Sequence, residues 1–434
     1  RAGLRPARDG RYAMTGLAGG GRRKARLFWL EPEPELEPSD WRLETGDWRL
    51  PTLPLLMLYL DHAATTPVRP EAREAMAPLF DREFGNPSGI HAVSRRAKDL
   101  LEDARERIAG LLGAAHPLDV VFTGGGTESD NLGLAGPALA SGARGGIVTT
   151  AVEHAAVLET ARFLGRLGCP VAFVGVDGAG RVSPGDVVEA IDGATRVVSV
   201  MAANNETGVV QPVAEVAAAA RRVSPGVLVH TDAVQAFVSR DVDLAGLGAD
   251  MLTVSSHKVG GPKGVGALVL RPGIDLEPVI HGGGHELGRR SGTHDVAGIV
   301  GMAAALEAAS KDRDRFSQDV DEARRRFERR VIAEVPGAVI TAAGVDRLVQ
   351  HSHFRIEGFD AETLLIRLDS AGVAAAAGSA CHSGAIEVSH VLAAMGMNES
   401  EARSSVRFTF GWTTRPEDGD AAADAVIAAV EASR

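Results

Sequence analysis

Aromatic residues and cysteines are scarce in this sequence. Aromatic side chains make up 4% of the 434 residues, which argues against a base-stacking surface for single-stranded nucleic acid. The net charge of −11 argues against a broad phosphate-binding face, so we expect no direct contact with nucleic acid. The two cysteines, Cys169 and Cys381, are too few and too far apart for a disulfide framework, which is typical of proteins of the reducing cytoplasm.

Long apolar runs are missing as well. No run reaches the roughly 18 residues that a membrane span needs, so we expect no membrane segment. Hydrophobic residues at 45% and charged residues at 24% are typical of a globular protein, and the length suits two or three packed units.

The amino-acid composition and the sequence pattern divide the chain into four parts. Residues 1–57 are rich in Arg, Gly and Pro and lack an amphipathic period, which predicts a disordered segment or a non-native extension ahead of a start at Met57. We expect residues 58–70 to pack on a small domain, residues 71–315 to form a large α/β domain, and residues 316–434 to form that small α+β domain with the loop of Cys381.

Short apolar runs alternate with Ala-rich helical patterns after residue 100. This alternation predicts a mainly parallel sheet with helices on both faces, and such sheets bind ligands beyond the carboxyl ends of their strands. The predicted strands are Asp119–Thr123, Gly146–Thr150, Pro170–Val176, Arg196–Ala202, Gly226–Thr231 and Asp250–Ser255.

Two of these strands are followed by groups suited to a phosphate and a flat ring. The run Thr123–Ser129, Thr-Gly-Gly-Gly-Thr-Glu-Ser, enters a helix, and glycine amides at a helix N-terminus favour an anion; the alternative is an ordinary Gly-rich turn with a helix cap. His154 is placed to stack on a cofactor ring, although a lone histidine is more often structural.

An acid and a lysine follow two further strands. Asp232 is a candidate base, metal ligand or partner of a protonated ring nitrogen, and Lys258 is a candidate for a Schiff base or an ordinary surface lysine. Phosphate donors, a stacking ring, an acid and a lysine at one sheet edge are the set that pyridoxal phosphate requires, so together they predict this cofactor.

The order of the motifs is more specific than any one of them. The motifs are Tyr59–Pro67, Phe84–Ser88, Gly125–Ser129, Asn204–Gly208, His230–Gln235, Ser256–Lys258, Gly261–Gly264, Arg290–Thr293 and Gly378–Cys381. With them the chain, from Leu58 to its C-terminus, resembles the NifS/IscS-type cysteine desulfurases of the class V aminotransferase superfamily. The resemblance implies the fold-type I architecture of pyridoxal-phosphate enzymes, with a large domain around a mainly parallel sheet and a smaller α+β C-terminal domain.

The resemblance also implies a role for each of twelve residues. Lys258 forms the Schiff base, His154 stacks on the ring, Asp232 pairs with the pyridine nitrogen, Gln235 bonds the ring hydroxyl, Gly126, Thr127, Ser255 and His257 bind the phosphate, Thr293 reaches the phosphate of the neighbouring subunit, Asn205 and Arg407 bind the substrate carboxylate, and Cys381 is the nucleophile. The role of Thr293 implies a homodimer.

The implied reaction converts L-cysteine to L-alanine. Sulfur moves to Cys381 as a persulfide and then to an acceptor protein, either an iron–sulfur scaffold or a tRNA-thiolating enzyme. Only a thiolate is a competent nucleophile, and either His382 or the substrate itself is available to deprotonate Cys381.

Four other interpretations compete with this one. Selenocysteine lyase and aminotransferase are the alternatives within the superfamily, but an aminotransferase has no use for Cys381. A catalytically idle regulatory subunit has no physical need for all four of Lys258, Asp232, His154 and Cys381. A metal centre is not expected, because the spacing of the histidines at 281, 285 and 294 does not match a zinc site with cysteine ligands.

The sequence departs from the family's usual pattern at a few positions. Gly124 stands where serine is common, and His285 stands where glutamine is common. The run Phe408–Trp412 replaces one that often holds serine and a second arginine. None of these changes removes a catalytic group.

Overall fold

A computed structural model describes residues 57–140, 145–377 and 388–432, all within one compact unit that spans Pro54–Arg434. The expectations for residues 1–56 and for Cys381 with its neighbours lie outside the described residues. None of the described helices is both long enough and apolar enough to cross a membrane.

The described residues form twelve strands. They are β1 (Leu58–Tyr59), β2 (Val120–Thr123), β3 (Gly146–Thr150), β4 (Val171–Val174), β5 (Thr195–Ser199), β6 (Leu228–Asp232), β7 (Met251–Ser255), β8 (Gly266–Leu270), β9 (Ala338–Ile340), β10 (His351–Ile356), β11 (Val373–Ala374) and β12 (Ser405–Thr409).

Eleven α-helices accompany these strands in the described part of the chain. They are α1 (Pro70–Met76), α2 (Ala92–Leu112), α3 (Gly126–Ala140), α4 (Ala155–Arg166), α5 (Pro184–Ala190), α6 (Val213–Val223), α7 (Val296–Glu334), α8 (Ala361–Ser370), α9 (His390–Ala394), α10 (Glu399–Arg403) and α11 (Asp418–Glu431).

The largest sheet has seven strands in the order β2-β8-β7-β6-β5-β3-β4. The pairs β3–β4, β3–β5, β5–β6 and β6–β7 are parallel, while β8 runs antiparallel to both of its neighbours. The predicted α/β fold with a mainly parallel sheet is therefore confirmed. The six predicted strands correspond to β2 to β7 with small differences at their ends.

Apolar side chains cover both faces of this sheet. Alternate residues of β2 illustrate the arrangement, since Val120 and Phe122 pack into one buried cluster with α2 and α7, whereas Val121 packs into another with α3 and α4. A strand buried on both faces needs apolar residues at every position, which explains the continuous apolar runs.

A separate apolar cluster surrounds a three-stranded antiparallel sheet with the order β12-β10-β9. The Phe327 ring of α7 lies edge-on to Phe354 and Phe408 at 5.5 and 4.9 Å between centroids. Leu60 belongs to the same cluster, and β1 pairs in parallel with β11, so the first described residues are bound to the later part of the chain.

Helix α7 connects the two regions. The sequence predicts a charged helix over Ser317–Val331, and the structure extends it to 39 residues, Val296–Glu334. The predicted domain boundary at residue 315 falls within this helix. The division at that residue therefore stays a prediction.

Candidate active site

The carboxyl ends of β2, β3, β5, β6 and β7 lie along one edge of the large sheet. Parallel strands place the residues that follow them at a common edge. The residues predicted to bind the cofactor follow these strand ends, except for Thr293, which lies in the chain before α7.

Lys258 ends the short 3-10 turn Ser256–Lys258 that follows β7. Its ammonium group donates hydrogen bonds to the carbonyl oxygens of Ala63 and Ala64, the latter at 2.8 Å. The Gln235 amide donates to the same Ala63 carbonyl at 3.0 Å, which brings Gln235 beside Lys258. Burial and the nearby Arg407 together lower the pKa of Lys258 to about 8, against the opposing charges of Asp232 and Asp61. The lysine is thereby prepared to act as a neutral amine.

Asp232 is the last residue of β6 and is buried. One of its carboxylate oxygens accepts from the Val234 amide at 2.9 Å. Burial raises the pKa of Asp232, while His154, the Val234 amide and Lys258 oppose the rise. A buried carboxylate needs a cationic or hydrogen-bonding partner, and a protonated pyridine nitrogen is such a partner.

His154 caps the N-terminus of α4, and its Nδ1 accepts from the Ala156 amide at 3.2 Å. This bond fixes the ring and leaves Nε2 available. Burial lowers the pKa of His154. The negative charge of Asp232 opposes this change, and the positive charge of Lys258 adds to it. The strands β3, β6 and β7 end at the same edge of the sheet, so the structure brings His154, Asp232 and Lys258 to one edge, where their charges influence one another.

The turn between β2 and α3 has the geometry of a phosphate cup. Gly125 adopts a φ of 143°, which favours glycine, and a Cβ on Gly266 would lie 2.6 Å from the Gly125 carbonyl carbon. A Cβ on Gly126 would be 3.2 Å from Val234 and 3.4 Å from the Ser255 side chain. The first turn of α3 therefore lies against the end of β7, and its amides, with Thr127 exposed, fit a phosphate.

Not every amide of this turn is free. The Gly124 amide donates to Glu128 at 2.7 Å, and Arg290 donates to the same carboxylate at 2.7 Å. A Cβ on Gly124 would lie 2.8 Å from that carboxylate, so the departure at Gly124 leaves space for Glu128. His257, also predicted to bind phosphate, has its Nδ1 3.2 Å from the Thr65 hydroxyl, and burial lowers its pKa to about 4.

Arg407 lies on β12, among buried residues of the three-stranded sheet. It donates to the Asn205 carbonyl at 2.9 Å and to the Asp61 carboxylate at 2.7 Å. The two residues predicted to bind a substrate carboxylate, Asn205 and Arg407, are therefore in contact. Asp61 was not predicted as a site residue, because 346 positions separate it from Arg407 and no local spacing reveals the pair.

Thr293 is exposed in the chain before α7. The preceding turn is held by Glu286, which accepts two bonds of 2.8 Å from Arg105 and one of 2.6 Å from His294. His285 contacts Ser88, with 3.4 Å between Nε2 and the hydroxyl. Histidines 285 and 294, considered above as metal ligands, are thus held by protein contacts.

The segment with Cys381 lies outside the described residues, but both of its flanks adjoin the site. On one side Ala376 exchanges two backbone hydrogen bonds with Arg407, of 2.7 and 3.2 Å. On the other side the Ser389 hydroxyl donates to Glu206 at 2.6 Å, and His390 Nε2 donates to the Glu153 carbonyl at 2.9 Å. Sequence reasoning missed Glu153 and Glu206, although each adjoins a predicted site residue.

Comparison with known proteins gives consistent results. The family model described as aminotransferase class V matches residues 58–421. The cysteine desulfurase IscS of Dictyoglomus turgidum is 41% identical over 362 residues, which are 83% of this chain and 91% of that protein. The IscS-like cysteine desulfurase of Mycobacterium tuberculosis is 42% identical over 386 residues, 87% of this chain and 97% of that protein. A solved structure named NifS-like protein is similar with a TM-score of 0.81 at 33% identity, covering 87% of this chain and 100% of that one.

Proposed function

The chain belongs to the class V aminotransferase family and is a pyridoxal-phosphate-dependent cysteine desulfurase, and we propose that Lys258, His154, Asp232 and Cys381 carry its reaction. The observation that supports these roles is the meeting of Lys258, Asp232 and His154 at one sheet edge, beside a Gly-rich turn that fits a phosphate.

The residues around the cofactor have distinct tasks in this proposal. Gly126, Thr127, Ser255 and His257 bind the phosphate, Gln235 bonds the ring hydroxyl, and His154 stacks on the ring. Asp232 pairs with the ring nitrogen. When bound, pyridoxal phosphate withdraws electrons from the substrate Cα.

The substrate is held and deprotonated by the chain's own groups. Asn205 and Arg407 bind the carboxylate of L-cysteine, which would take the place of the Asp61 carboxylate beside Arg407 or lie next to it. Lys258, the proposed base with a pKa lowered to about 8, removes the Cα proton in its neutral form.

Sulfur transfer then occurs at Cys381. The Cys381 thiolate attacks the substrate sulfur, so that an S–S bond forms while the substrate C–S bond breaks. The electron pair of the broken bond stays with the three-carbon fragment, which takes up protons and leaves as alanine. The product on the enzyme is a persulfide.

Asp232→Asn tests the proposed roles. We expect a yellow protein that retains the cofactor, with turnover reduced by roughly 10²-fold or more, because asparagine does not keep the ring nitrogen protonated. Cofactor absorbance and the release of alanine and sulfide are measured on the same samples. Near-normal sulfide release would refute the role of Asp232.

We further propose a homodimer in which Thr293 reaches the phosphate of the second subunit, supported by the exposure of Thr293 beside the turn fixed by Glu286. Light scattering of the purified protein decides between one and two chains per particle.

The persulfide would pass to an iron–sulfur scaffold or to a tRNA-thiolating enzyme in the reducing cytoplasm, where a free thiol at Cys381 persists. Transfer of ³⁵S from the labelled enzyme to each acceptor, followed in parallel, distinguishes these two routes.

A further inference from the structure

Glu206 is a buried carboxylate to which the proposed reaction assigns no task. It follows Asn205 in the chain, and its own amide donates to the Asn204 side chain at 2.9 Å, which fixes its backbone. Burial raises the pKa of Glu206, and the hydrogen bond from Ser389 opposes the rise. The 2.6 Å bond from the Ser389 hydroxyl is thus made in a dry environment, where such bonds are strong.

Ser389 is the second described residue after Cys381. Its hydroxyl also accepts from the Leu392 amide at 3.2 Å, so the same side chain caps α9 and contacts Glu206. Val391 and Leu392 pack against Val152 in a small apolar cluster, which provides a second and independent attachment of α9 to the large sheet.

The chain that precedes Cys381 is attached to the same place. Ala376 pairs with Arg407, Arg407 donates to the Asn205 carbonyl, and Asn205 precedes Glu206. Both flanks of the segment with Cys381 are therefore tied to the pair proposed to bind the substrate carboxylate, one through the Arg407 backbone and the other through the Glu206 side chain.

We propose that the Ser389–Glu206 hydrogen bond holds Ser389 and the start of α9 beside the substrate carboxylate site, so that sulfur transfer to Cys381 depends on this bond while removal of the Cα proton does not. This inference rests on the proposed function. Glu206 and Ser389 act here as positioning residues, since neither touches the reacting atoms.

The test compares two reactions of the same cofactor-loaded enzyme. Exchange of the L-alanine Cα proton in D₂O, followed by NMR, needs Lys258 but no cysteine nucleophile. Persulfide formation on Cys381 in a single turnover with L-cysteine, followed by mass spectrometry, needs both Lys258 and the Cys381 nucleophile. A role in folding alone would alter the two reactions together or neither of them.

For Ser389→Ala we expect exchange within about twofold of wild type and persulfide formation slower by about tenfold or more, because displacement of a reacting group by about 1 Å costs up to 10²-fold. Glu206→Ala should behave like Ser389→Ala. Glu206→Gln keeps an oxygen that accepts from Ser389, and should restore most of the transfer rate.

Ser183→Ala is the matched control. Ser183 caps α5 in the same way, accepting from Gly185 at 3.2 Å, and lies on the surface, so its loss should leave both reactions unchanged. Unfolding temperatures of the cofactor-free variants, measured in parallel, identify any that fail to fold.

The outcomes separate the two proposals. If wild type forms no persulfide and no alanine from cysteine, the proposed function is wrong. If wild type forms both but Ser389→Ala transfers sulfur as fast as wild type, or loses exchange and transfer equally, only the positioning role is wrong. If Ser389→Ala and Glu206→Ala each slow transfer but the double variant is slower by the product of the two effects, the residues do not act through one shared bond.

Discussion

At the scale of single residues, burial accounts for the reactivity of Lys258. Its amine lies in a half-buried site near the positive Arg407, and both loss of hydration and the positive charge disfavour the ammonium form. The pKa of Lys258 falls from 10.5 to about 8, so near neutral pH a larger fraction of the amine is neutral than in an exposed lysine. The opposing charges of Asp232 and Asp61 prevent a larger fall.

This account predicts the pH dependence of cofactor uptake. Pyridoxal phosphate added to the cofactor-free protein should react faster as pH rises, with a midpoint near the Lys258 pKa of about 8. Arg407→Gln removes a positive charge, so the pKa of Lys258 and the midpoint should both rise, whereas Arg407→Lys should leave the midpoint in place. Stopped-flow absorbance measures the rates, and a midpoint that falls in Arg407→Gln would contradict the account.

At the scale of elements, the turn from β2 into α3 depends on close packing of two glycines. The backbone of β8 passes so near this turn that no side chain fits at Gly266. The phosphate cup is therefore packed directly against β8. A substitution on β8 that displaces this turn should weaken phosphate binding.

Gly266→Ala tests this packing. Its Cβ would meet the Gly125 backbone at 2.6 Å, so we expect destabilisation of about 1–3 kcal/mol and weaker cofactor binding. Denaturant unfolding and cofactor titration provide the two measurements.

Gly110→Ala serves as the comparison. Gly110 is an exposed residue of α2, and no atom lies within 4 Å of the added Cβ. The substitution should raise the free energy of unfolding by up to about 1 kcal/mol, because alanine favours a helix more than glycine does. Equal effects of the two substitutions would show that the close approach of β8 has no energetic consequence.

Strands and helices could be predicted from the sequence where a local pattern of apolar and turn residues determines their type and their ends. The strands β2, β3, β6 and β7 are buried along their whole length, so they are readily recognised between turn residues. The start of α7 was not predicted. Both halves of this helix have high helical propensity, but the first is rich in alanine and the second is charged, and this change in composition indicated two separate units.

The candidate site was predictable to a similar extent. His154 follows β3, Asp232 ends β6 and Lys258 follows β7. Parallel topology brings residues at such strand ends to one edge of the sheet. The contacts of Asp61 with Arg407 and of Glu206 with Ser389 join residues 346 and 183 positions apart, and only the folded chain reveals them.

At the scale of the whole molecule, the first described residues are attached to the region around the three-stranded sheet. Strand β1 pairs with β11, the Leu60 side chain is fully buried in the cluster around the three-stranded sheet, and Asp61 contacts Arg407. Burial of one leucine contributes about 1.5–3 kcal/mol, so this short segment is important for stability.

Two truncations test this view. Removal of residues 1–56 should leave the unfolding temperature and cysteine turnover unchanged, since the composition of that stretch predicts disorder. Removal of residues 1–62 also deletes β1, Leu60 and Asp61, and should lower the unfolding temperature by several degrees at least. A large loss of activity in the shorter truncation would overturn the interpretation of residues 1–56.

The central claim, that this desulfurase passes sulfur through Cys381, is tested most directly by cysteine turnover of wild type against Cys381→Ala, with alanine and sulfide both assayed in the presence of added thiol. The account predicts both products from wild type and neither from the variant, while the variant keeps the absorbance of its bound cofactor. Full activity in Cys381→Ala would contradict the persulfide step and favour a lyase or transaminase reaction.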